Sequence, residues 1–341
     1  MAAMLVAVLA HDAAASDAAL ARNASASGAC APERASARVA LCFYGLNRSL
    51  RHTIGSIRAH VFAPLRAACA AWEVYVHTYS ETTVTSAHAH EYNVSIGGAA
   101  EMVALLRPRR HAVTAQADAD RLLDMRVYAH AGLAYAEPVQ RNLLRQLYSL
   151  QLVTALWTPA AARYRAVGYL RPDLRFVAPI DARAMLRARD DEIYTPFWHR
   201  HLGENDRLAF GGARAAAAWG NRLFDAAEYT RARPLNSEAF LAWVIAQRGL
   251  VQRLTGMVGM RVRATGEVHA QDACLAERCR WDGDQCRYGC HRRVSRVKAA
   301  LYDRYARSTA QDGARAALAA RGAGAIGAAT VLSSIESAVV H

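Results

Sequence analysis

The chain has 341 residues, of which 53% are hydrophobic, and a formal net charge of +13 at pH 7. This length suits one large α/β domain or two small ones, and the apolar content is enough for a sizeable core. The positive charge is almost entirely arginine and is scattered, without a helix-turn-helix, zinc-finger or aromatic-basic RNA motif, so we expect anionic ligands and no nucleic-acid partner.

Residues 1–36 are predicted to be a leader that precedes the folded domain. They open with a short apolar run followed by an alanine-rich segment. This order is typical of a signal peptide, although basic residues at its start are missing and the run is too short to span a membrane. A disordered leader or a misplaced start codon is the alternative. Asn-x-Ser sequons at Asn23, Asn47 and Asn93 are compatible with a lumenal or secreted protein.

The first half of the chain alternates between strand and helix patterns. Residues 37–44 are apolar and partly β-branched, which predicts a buried strand that Gly45 ends. Residues 49–71 carry apolar side chains at helical spacing, with a kink or break expected at Pro64. Residues 72–77 predict a second strand. Strand, helix and strand in this order indicate a parallel sheet with helices on its faces.

The alternation continues to about residue 270. Residues 78–98 are rich in Thr, His and Gly, and we predict a loop there. We predict helices at residues 99–106, 138–157, 213–227 and 237–247, and strands at residues 110–114, 166–170, 192–195, 208–210 and 258–268. The predicted fold class is therefore α/β, with a mostly parallel central sheet flanked by helices, in one domain over residues 37–270.

A small cysteine-bearing segment, residues 271–295, is expected to follow this domain. It contains Cys274, Cys279, Cys286 and Cys290, next to His291. These spacings do not match paired CxxC zinc sites, so we favour two disulfides in an oxidising compartment. A zinc knuckle that uses His291, or free thiols, are the alternatives. Residues 296–341 are predicted to be a helical and then Ala/Gly-rich tail.

The turn after the first strand is a candidate phosphate site. Gly45 allows a tight turn, and the start of the next helix offers free N–H groups in a partial positive field. Arg48 and Arg51 can add bidentate contacts to phosphate, although both could equally be surface arginines. The turn lacks a GxGxxG pattern, which argues against a dinucleotide dehydrogenase.

A carboxylate follows the predicted strand 166–170, in Arg171-Pro172-Asp173. In open α/β sheets ligands bind at the carboxyl ends of strands. Asp173 is a hard oxygen ligand for Mg²⁺ or Mn²⁺, and with Arg171 it suits a metal-bridged diphosphate, with a turn or capping role as the alternative. Other acidic doublets compete for this role: Asp118 with Asp120, Asp190 with Asp191, and Asp282 with Asp284.

Three later residues complete the set of candidates. His269 is a candidate second metal ligand, or a structural histidine. Asp206 and Glu238 are candidates for holding substrate hydroxyls, and one of them could act as general base. A helix-capping role is the alternative for either of them, and Glu238 lies at the start of a predicted helix, where the helix dipole stabilises an acid.

Six short motifs follow one another between residues 37 and 250. They are Ala40-Leu-Cys-Phe-Tyr-Gly-Leu-Asn-Arg-Ser-Leu50, Val76-His-Thr-Tyr79, Arg141-Asn-Leu-Leu-Arg-Gln-Leu-Tyr-Ser149, Leu170-Arg-Pro-Asp-Leu174, Asn205-Asp-Arg-Leu-Ala-Phe-Gly211 and Asn236-Ser-Glu-Ala-Phe-Leu241. In this order they resemble the uncharacterised glycosyltransferase-like proteins of GT-A type found in algae, large viruses and bacteria, with an RPDL motif followed by NDRxAFG.

The resemblance implies a Rossmann-like GT-A fold with donor phosphate at the first turn. It places a divalent metal, Mn²⁺ or Mg²⁺, near Asp173, and it implies that Gln146 and Ser149 on the long helix face the nucleotide-sugar. The chain departs from better-characterised relatives because its turn has Arg-x-Asp in place of a full DxD pair. Arginine can supply part of the electrostatic role of a metal at a leaving diphosphate.

The expected function is transfer of a sugar from a UDP- or GDP-sugar to a glycan or glycoprotein acceptor. The expected location is the secretory pathway, in the lumen of the Golgi or endoplasmic reticulum or outside the cell, with no clear transmembrane helix. The alternative is a catalytically inactive relative that acts as a lectin or structural lumenal protein. A sulfotransferase is disfavoured because a Gly-rich, Lys-containing phosphate loop is missing.

Overall fold

The computed structural model describes residues 37–86, 91–130, 136–200, 203–269 and 272. The predicted leader, almost all of the cysteine segment and the tail lie outside these residues, as do Asp282 and Asp284. Among the helices of the described ranges, none combines the length and the apolar character that crossing a membrane requires.

The described residues form eleven strands and nine α-helices. The strands are β1 (Arg38–Tyr44), β2 (Ala71–Tyr79), β3 (Thr83–Ser86), β4 (Glu91–Ser95), β5 (Arg110–Thr114), β6 (Ala166–Leu170), β7 (Leu174–Phe176), β8 (Glu192–Pro196), β9 (Leu208–Gly211), β10 (Val251–Thr255) and β11 (Gly259–Arg261). The helices are α1 (Leu50–Ile57), α2 (Ala63–Ala67), α3 (Gly98–Leu106), α4 (Gln116–Leu122), α5 (Glu137–Trp157), α6 (Ala182–Arg187), α7 (Ala213–Gly220), α8 (Leu223–Thr230) and α9 (Ser237–Gln247).

Seven of these strands form the central sheet, in the order β10-β8-β9-β6-β1-β2-β5. The four neighbours β6, β1, β2 and β5 are all parallel, and β10 is parallel to β8. Strand β9 is antiparallel to both of its neighbours, β6 and β8. The predicted α/β class with a mostly parallel sheet is confirmed.

Strand β1 lies at the middle of the fold because both of its faces are apolar. Ala40, Cys42 and Tyr44 are buried in one hydrophobic cluster together with the apolar stripe of α5. The alternate residues Val39, Leu41 and Phe43 are buried in a second cluster on the opposite face, which includes the buried side of α1. Two packed faces explain why the sequence of β1 is continuously apolar and does not alternate with polar residues.

Two predicted boundaries differ from the structure. The predicted loop at residues 78–98 contains the antiparallel hairpin of β3 and β4. The sequence did not predict this hairpin because it is mostly polar. Only Val84 of β3 is buried, and it packs against Ile96 and Ala264. The predicted helix 213–227 is divided into α7 and α8. It breaks after Gly220, where a Cβ would lie 2.0 Å from Thr154 Oγ1.

The end of the predicted sheet is also divided differently. The residues predicted as one strand at 258–268 form β11, which pairs antiparallel with β7, and an isolated bridge between Val262 and Val268. Strand β10 precedes them and completes the edge of the central sheet. The segment after β11 lies against the turn that follows β6, where the backbone N–H of Val262 donates to the Asp173 carbonyl.

Candidate functional site

The carboxyl ends of β1 and β6 meet at one edge of the sheet. The next strands of the chain, β2 and β5, lie on one side of β1, whereas β6 lies on the other. Such a reversal of strand order opens a crevice, and open α/β sheets bind ligands in it. A cavity of about 390 Å³ lies at this point. Its volume is within the range of small-molecule sites, about 300–1,000 Å³.

Several separate segments of the chain converge on this cavity. The segment before β9 reaches the edge where β6 ends, because β9 runs antiparallel to β6, with Leu208 opposite Leu170. The residues just before β9 therefore lie beside the residues just after β6. The polar and charged side chains that line the cavity include Arg48, Arg145, Gln146, Arg171, Asp173, Asp206, Arg207, Ser237, Glu238, Arg261 and Arg263, and Gly45 lines it with its backbone.

Most of the predicted site residues line the cavity, and three do not. The three outside its lining are Arg51, Ser149 and His269. Arg51 lies on α1 with a side chain that is 45% exposed, and its Nε is 3.1 Å from Glu101 Oε1. Ser149 is fully buried behind the turn of Gly45. His269 lies against Arg261, whose Nη2 is 3.1 Å from His269 Nδ1.

A buried chain of hydrogen bonds holds the backbone of the turn at Gly45. Gly45 has φ +94°, in the region that favours glycine, and its N–H donates to Ser149 Oγ at 2.7 Å. The same Ser149 Oγ lies 2.6 Å from His77 Nδ1, and His77 Nε2 lies 3.1 Å from Thr114 Oγ1. Burial lowers the pKa of His77 to about 3, so its ring is neutral and carries one proton. Ser149 therefore fixes the backbone of the turn, and its hydroxyl points away from the cavity.

Gln146 and Arg171 link two of the three carboxylates of the cavity wall, Asp206 and Asp173. Gln146 Nε2 donates to Asp206 Oδ2 at 2.9 Å, and its Oε1 accepts from Arg171 Nη1 at 3.1 Å. Arg171 in turn donates to both carboxylate oxygens of Asp173, from Nε at 2.8 Å and from Nη2 at 2.6 Å. The four side chains form one continuous polar network across the carboxyl end of β6 and the amino end of β9.

This network bears directly on the predicted metal at Asp173 and His269. Among the described residues, no group of three or more His, Cys, Asp or Glu side chains could hold a metal ion. Burial alone would raise the pKa of Asp173, but the adjacent Arg171 guanidinium reverses this effect and leaves that pKa below its usual value. A guanidinium already holds both oxygens of Asp173, and the described residues bring no group of three possible ligands around it, so they do not fit a divalent metal at this position.

Glu238 is a buried carboxylate of the cavity with a raised pKa. It is 8% exposed, and Ser237 Oγ donates to its Oε2 at 2.9 Å. Burial, and then the negative charge of Asp206, raise its pKa to about 7. The N-cap of α9 is Asn236, whose side-chain oxygen accepts from Ala239 N at 2.9 Å. Asn236 is thus the cap, and Glu238 lies in the first turn of α9, where the helix dipole favours a negative charge.

Sequence reasoning missed a set of arginines in the cavity wall. Arg207 is 7% exposed, and its guanidinium carbon lies 5.4 Å from the centre of the Trp198 ring. Its buried Nη1 has no hydrogen-bond partner among the described residues, and Asp272 Oδ2 lies 3.9 Å away, beyond hydrogen-bond distance. Burial, and then the positive charge of Arg261, lower the pKa of Arg207 to about 10.

Asp272 holds Arg261 in place beside Asp173. Its carboxylate accepts from Arg261 Nε at 2.9 Å and from Arg261 Nη2 at 3.0 Å, and it lies 3.1 Å from His199 Nε2. The backbone N–H of Val262 donates to the Asp173 carbonyl at 2.8 Å, which places this segment against the turn after β6. A usable pattern was present in the sequence: Arg261 and Arg263 are two residues apart, so an extended backbone directs both to one side.

Comparisons with known proteins do not assign the chain to a family. No protein-family model matches the sequence, and none of the curated proteins matches it. Among solved structures, the chain is similar to mouse xyloside xylosyltransferase 1 in its apo form, with 11% sequence identity and a TM-score of 0.34. The similarity covers 64% of this chain and 84% of that one. A likeness of this size does not identify a function.

Proposed function

We propose that the protein is a glycosyltransferase that uses a nucleotide-sugar donor and binds it in the cavity between the carboxyl ends of β1 and β6. One observation carries this proposal: arginine side chains and two carboxylates, Asp206 and Glu238, converge at the switch point of an open α/β sheet. Arginine can stabilise the anionic leaving group, and a carboxylate can accept the proton of the attacking hydroxyl.

The donor diphosphate would lie against the turn of Gly45. The backbone there is fixed by Ser149, and Arg48 and Arg171 line the same cavity. Negative charge builds on the diphosphate as its bond to the anomeric carbon breaks. Guanidinium groups held in place before the reaction stabilise this charge without having to reorganise. We infer that Gln146, which is fixed between Arg171 and Asp206, orients the donor's polar groups.

Glu238 is our candidate for the general base. In an inverting transfer the acceptor oxygen attacks the anomeric carbon, the bond to the diphosphate breaks, and the hydroxyl proton passes to the base. A carboxylate with a pKa of about 7 is matched to this task near neutral pH. Asp206 would contribute its negative charge, which helps to raise that pKa, and a hydrogen-bond acceptor for a sugar hydroxyl.

The acceptor and location remain as the sequence predicts them: a glycan or glycoprotein, in the lumen of the endoplasmic reticulum or Golgi or outside the cell. The described sequons differ in accessibility. Asn47 is fully buried, and its Nδ2 donates to Gly98 O at 2.7 Å, so it is unsuited to carry a glycan in the folded protein. Asn93 lies in the exposed part of β4 and is the accessible one.

Nucleotide release from a panel of UDP-, GDP- and CMP-sugars, with and without acceptor glycans, tests the proposal. Each reaction is run in Mn²⁺ and in EDTA. We expect release from one class of donor, strongly reduced by Glu238→Gln and unchanged by Arg214→Gln, which removes an exposed charge paired with Asp190 at the opposite edge of the sheet. If folded wild-type protein turned over none of the donors, but bound a glycan array, the lectin alternative would replace this proposal.

A further inference from the structure

We propose that the cavity binds a nucleoside diphosphate without a divalent cation, with Arg207, Arg261 and Arg263 taking the role that such a cation has elsewhere. The inference rests on the proposed function for the identity of the donor, but not for the binding of the diphosphate itself. Three observations carry it.

The first observation is the state of Asp173. Both carboxylate oxygens accept hydrogen bonds from Arg171, so a metal at this turn would have to share them with a guanidinium whose positive charge repels it. Asp173 is 5% exposed, so water cannot readily replace Arg171 as a partner. The carboxylate serves to hold a guanidinium at the cavity wall, and that guanidinium also donates to Gln146.

The second observation is the unsatisfied guanidinium of Arg207. A buried charged donor without a hydrogen-bond partner is costly, and proteins keep one where a ligand supplies the partner. Arg207 lines the cavity, its Nη1 has no hydrogen bond among the described residues, and more than nine-tenths of its surface is buried. Nη1 itself is buried, so an anion in the cavity would become its acceptor once the Arg207 side chain turned toward the anion.

The third observation is the clustering of positive charge next to Arg207. The carboxylate of Asp272 is shared by Arg261, at 2.9 Å, and by Arg207, at 3.9 Å. Arg263 lines the same wall, and burial together with Arg48 and Arg261 lowers its pKa. The arginines therefore repel one another, although the nearby carboxylates offset part of this repulsion.

A diphosphate fits this arrangement chemically. It carries negative charge on two adjacent phosphates, and its oxygens accept paired hydrogen bonds from guanidinium forks. A single phosphate or a carboxylate would leave part of the set unsatisfied. We therefore expect the site to prefer a nucleoside diphosphate to the corresponding monophosphate.

Isothermal titration calorimetry of the full chain with UDP and GDP, and with UMP and GMP for comparison, tests this. We expect one diphosphate to bind with a Kd that is the same in EDTA and in Mn²⁺, and tighter than that of its monophosphate. Arg207→Gln and Arg263→Gln should each weaken this binding about tenfold or more, because a charged hydrogen bond to the ligand is lost. Arg214→Gln removes the same charge outside the cavity and should leave the Kd unchanged.

Arg207 is buried, so its variant is checked for folding by circular dichroism. Arg263 is half-buried and gives an independent test if Arg207→Gln does not fold. Binding in Mn²⁺ that disappears in EDTA would overturn the inference while leaving the proposed function intact. Binding in EDTA without turnover of any sugar donor would support the inference and contradict the proposed function. Absence of diphosphate binding in both buffers would overturn the inference.

Discussion

Arg171 and Asp173 form a bidentate ion pair within the turn that follows β6. Arg171 Nε and Nη2 lie 2.8 and 2.6 Å from the two oxygens of Asp173. The remaining terminal nitrogen of Arg171 donates to Gln146 at 3.1 Å. Asp173 thus acts through Arg171: it fixes the direction in which the guanidinium approaches the cavity and the helix α5.

Asp173→Asn is predicted to destabilise the protein with or without Mn²⁺. The amide can accept only one of the two hydrogen bonds and leaves Arg171 without its counter-charge, which should cost about 2–3 kcal/mol of the free energy of unfolding. Urea denaturation measures this. In an Arg171→Gln background the same substitution should cost at least about 1 kcal/mol less, because the pair is already broken. Equal costs in both backgrounds would mean that the two side chains are not coupled.

Gly45→Ala and Gly55→Ala should change stability in opposite directions. Neither new methyl group would meet an atom within 4 Å, so packing does not distinguish the two sites. Gly45 has φ +94°, where alanine is strained, and we expect a loss of about 1 kcal/mol or more. Gly55 is inside α1, where alanine should add about 0.5–1 kcal/mol. Thermal or urea unfolding of both variants provides the comparison, and equal effects would argue against a strained turn at Gly45.

Ser149→Ala is predicted to loosen the turn of Gly45. The substitution leaves the Gly45 N–H and a ring nitrogen of His77 without their buried partner, which should cost about 1–3 kcal/mol. A weaker affinity for the nucleoside diphosphate should accompany this loss, since the turn lines the cavity. Ser80→Ala is the control, because Ser80 is exposed, and it should change stability by less than about 0.5 kcal/mol. An unfolding midpoint of Ser149→Ala equal to that of wild type would contradict this role.

The sequence was sufficient to predict the centre of the fold. Strand β1 is continuously apolar and α5 has a long apolar stripe, so both are determined by patterns of burial within one segment. The hairpin of β3 and β4 was missed because it is mostly polar and is stabilised by contacts with distant residues, such as Val84 with Ala264. Local pattern cannot report contacts between segments that are so far apart in sequence.

Part of the candidate site was also predictable. Asp173 and Asp206 follow and precede short apolar runs, and the antiparallel pairing of β6 with β9 brings them to one edge. The partners of these carboxylates were not predictable. Arg171 pairs with both oxygens of Asp173, and Arg207 is buried beside Asp272. Both contacts depend on side-chain directions, which the spacing of residues in the sequence does not determine.

The raised pKa of Glu238 predicts linked effects on activity and stability. If Glu238 is the base, kcat/KM should rise as the pH passes about 7, and Glu238→Gln should lower it by about 10² to 10⁴ and remove this dependence. Asp206→Asn removes the neighbouring negative charge, so the midpoint of the pH profile should move to lower pH. If the midpoint did not move, the group that titrates in the activity profile would not be Glu238.

The same group makes the folded state less stable as the pH rises. The pKa of Glu238 is above its ordinary value of 4.5, so between pH 4.5 and about 7 the folded protein binds the proton more tightly than the unfolded chain does. The free energy of unfolding therefore falls as the pH rises through this window. A neutral glutamine avoids burying a charge beside Asp206, so Glu238→Gln should be more stable than wild type at pH 8, by about 1–2 kcal/mol, and similar to it at pH 4.5. Urea unfolding at the two pH values tests this, and a variant less stable than wild type at pH 8 would show that the ionised carboxylate is held by favourable contacts in the folded protein.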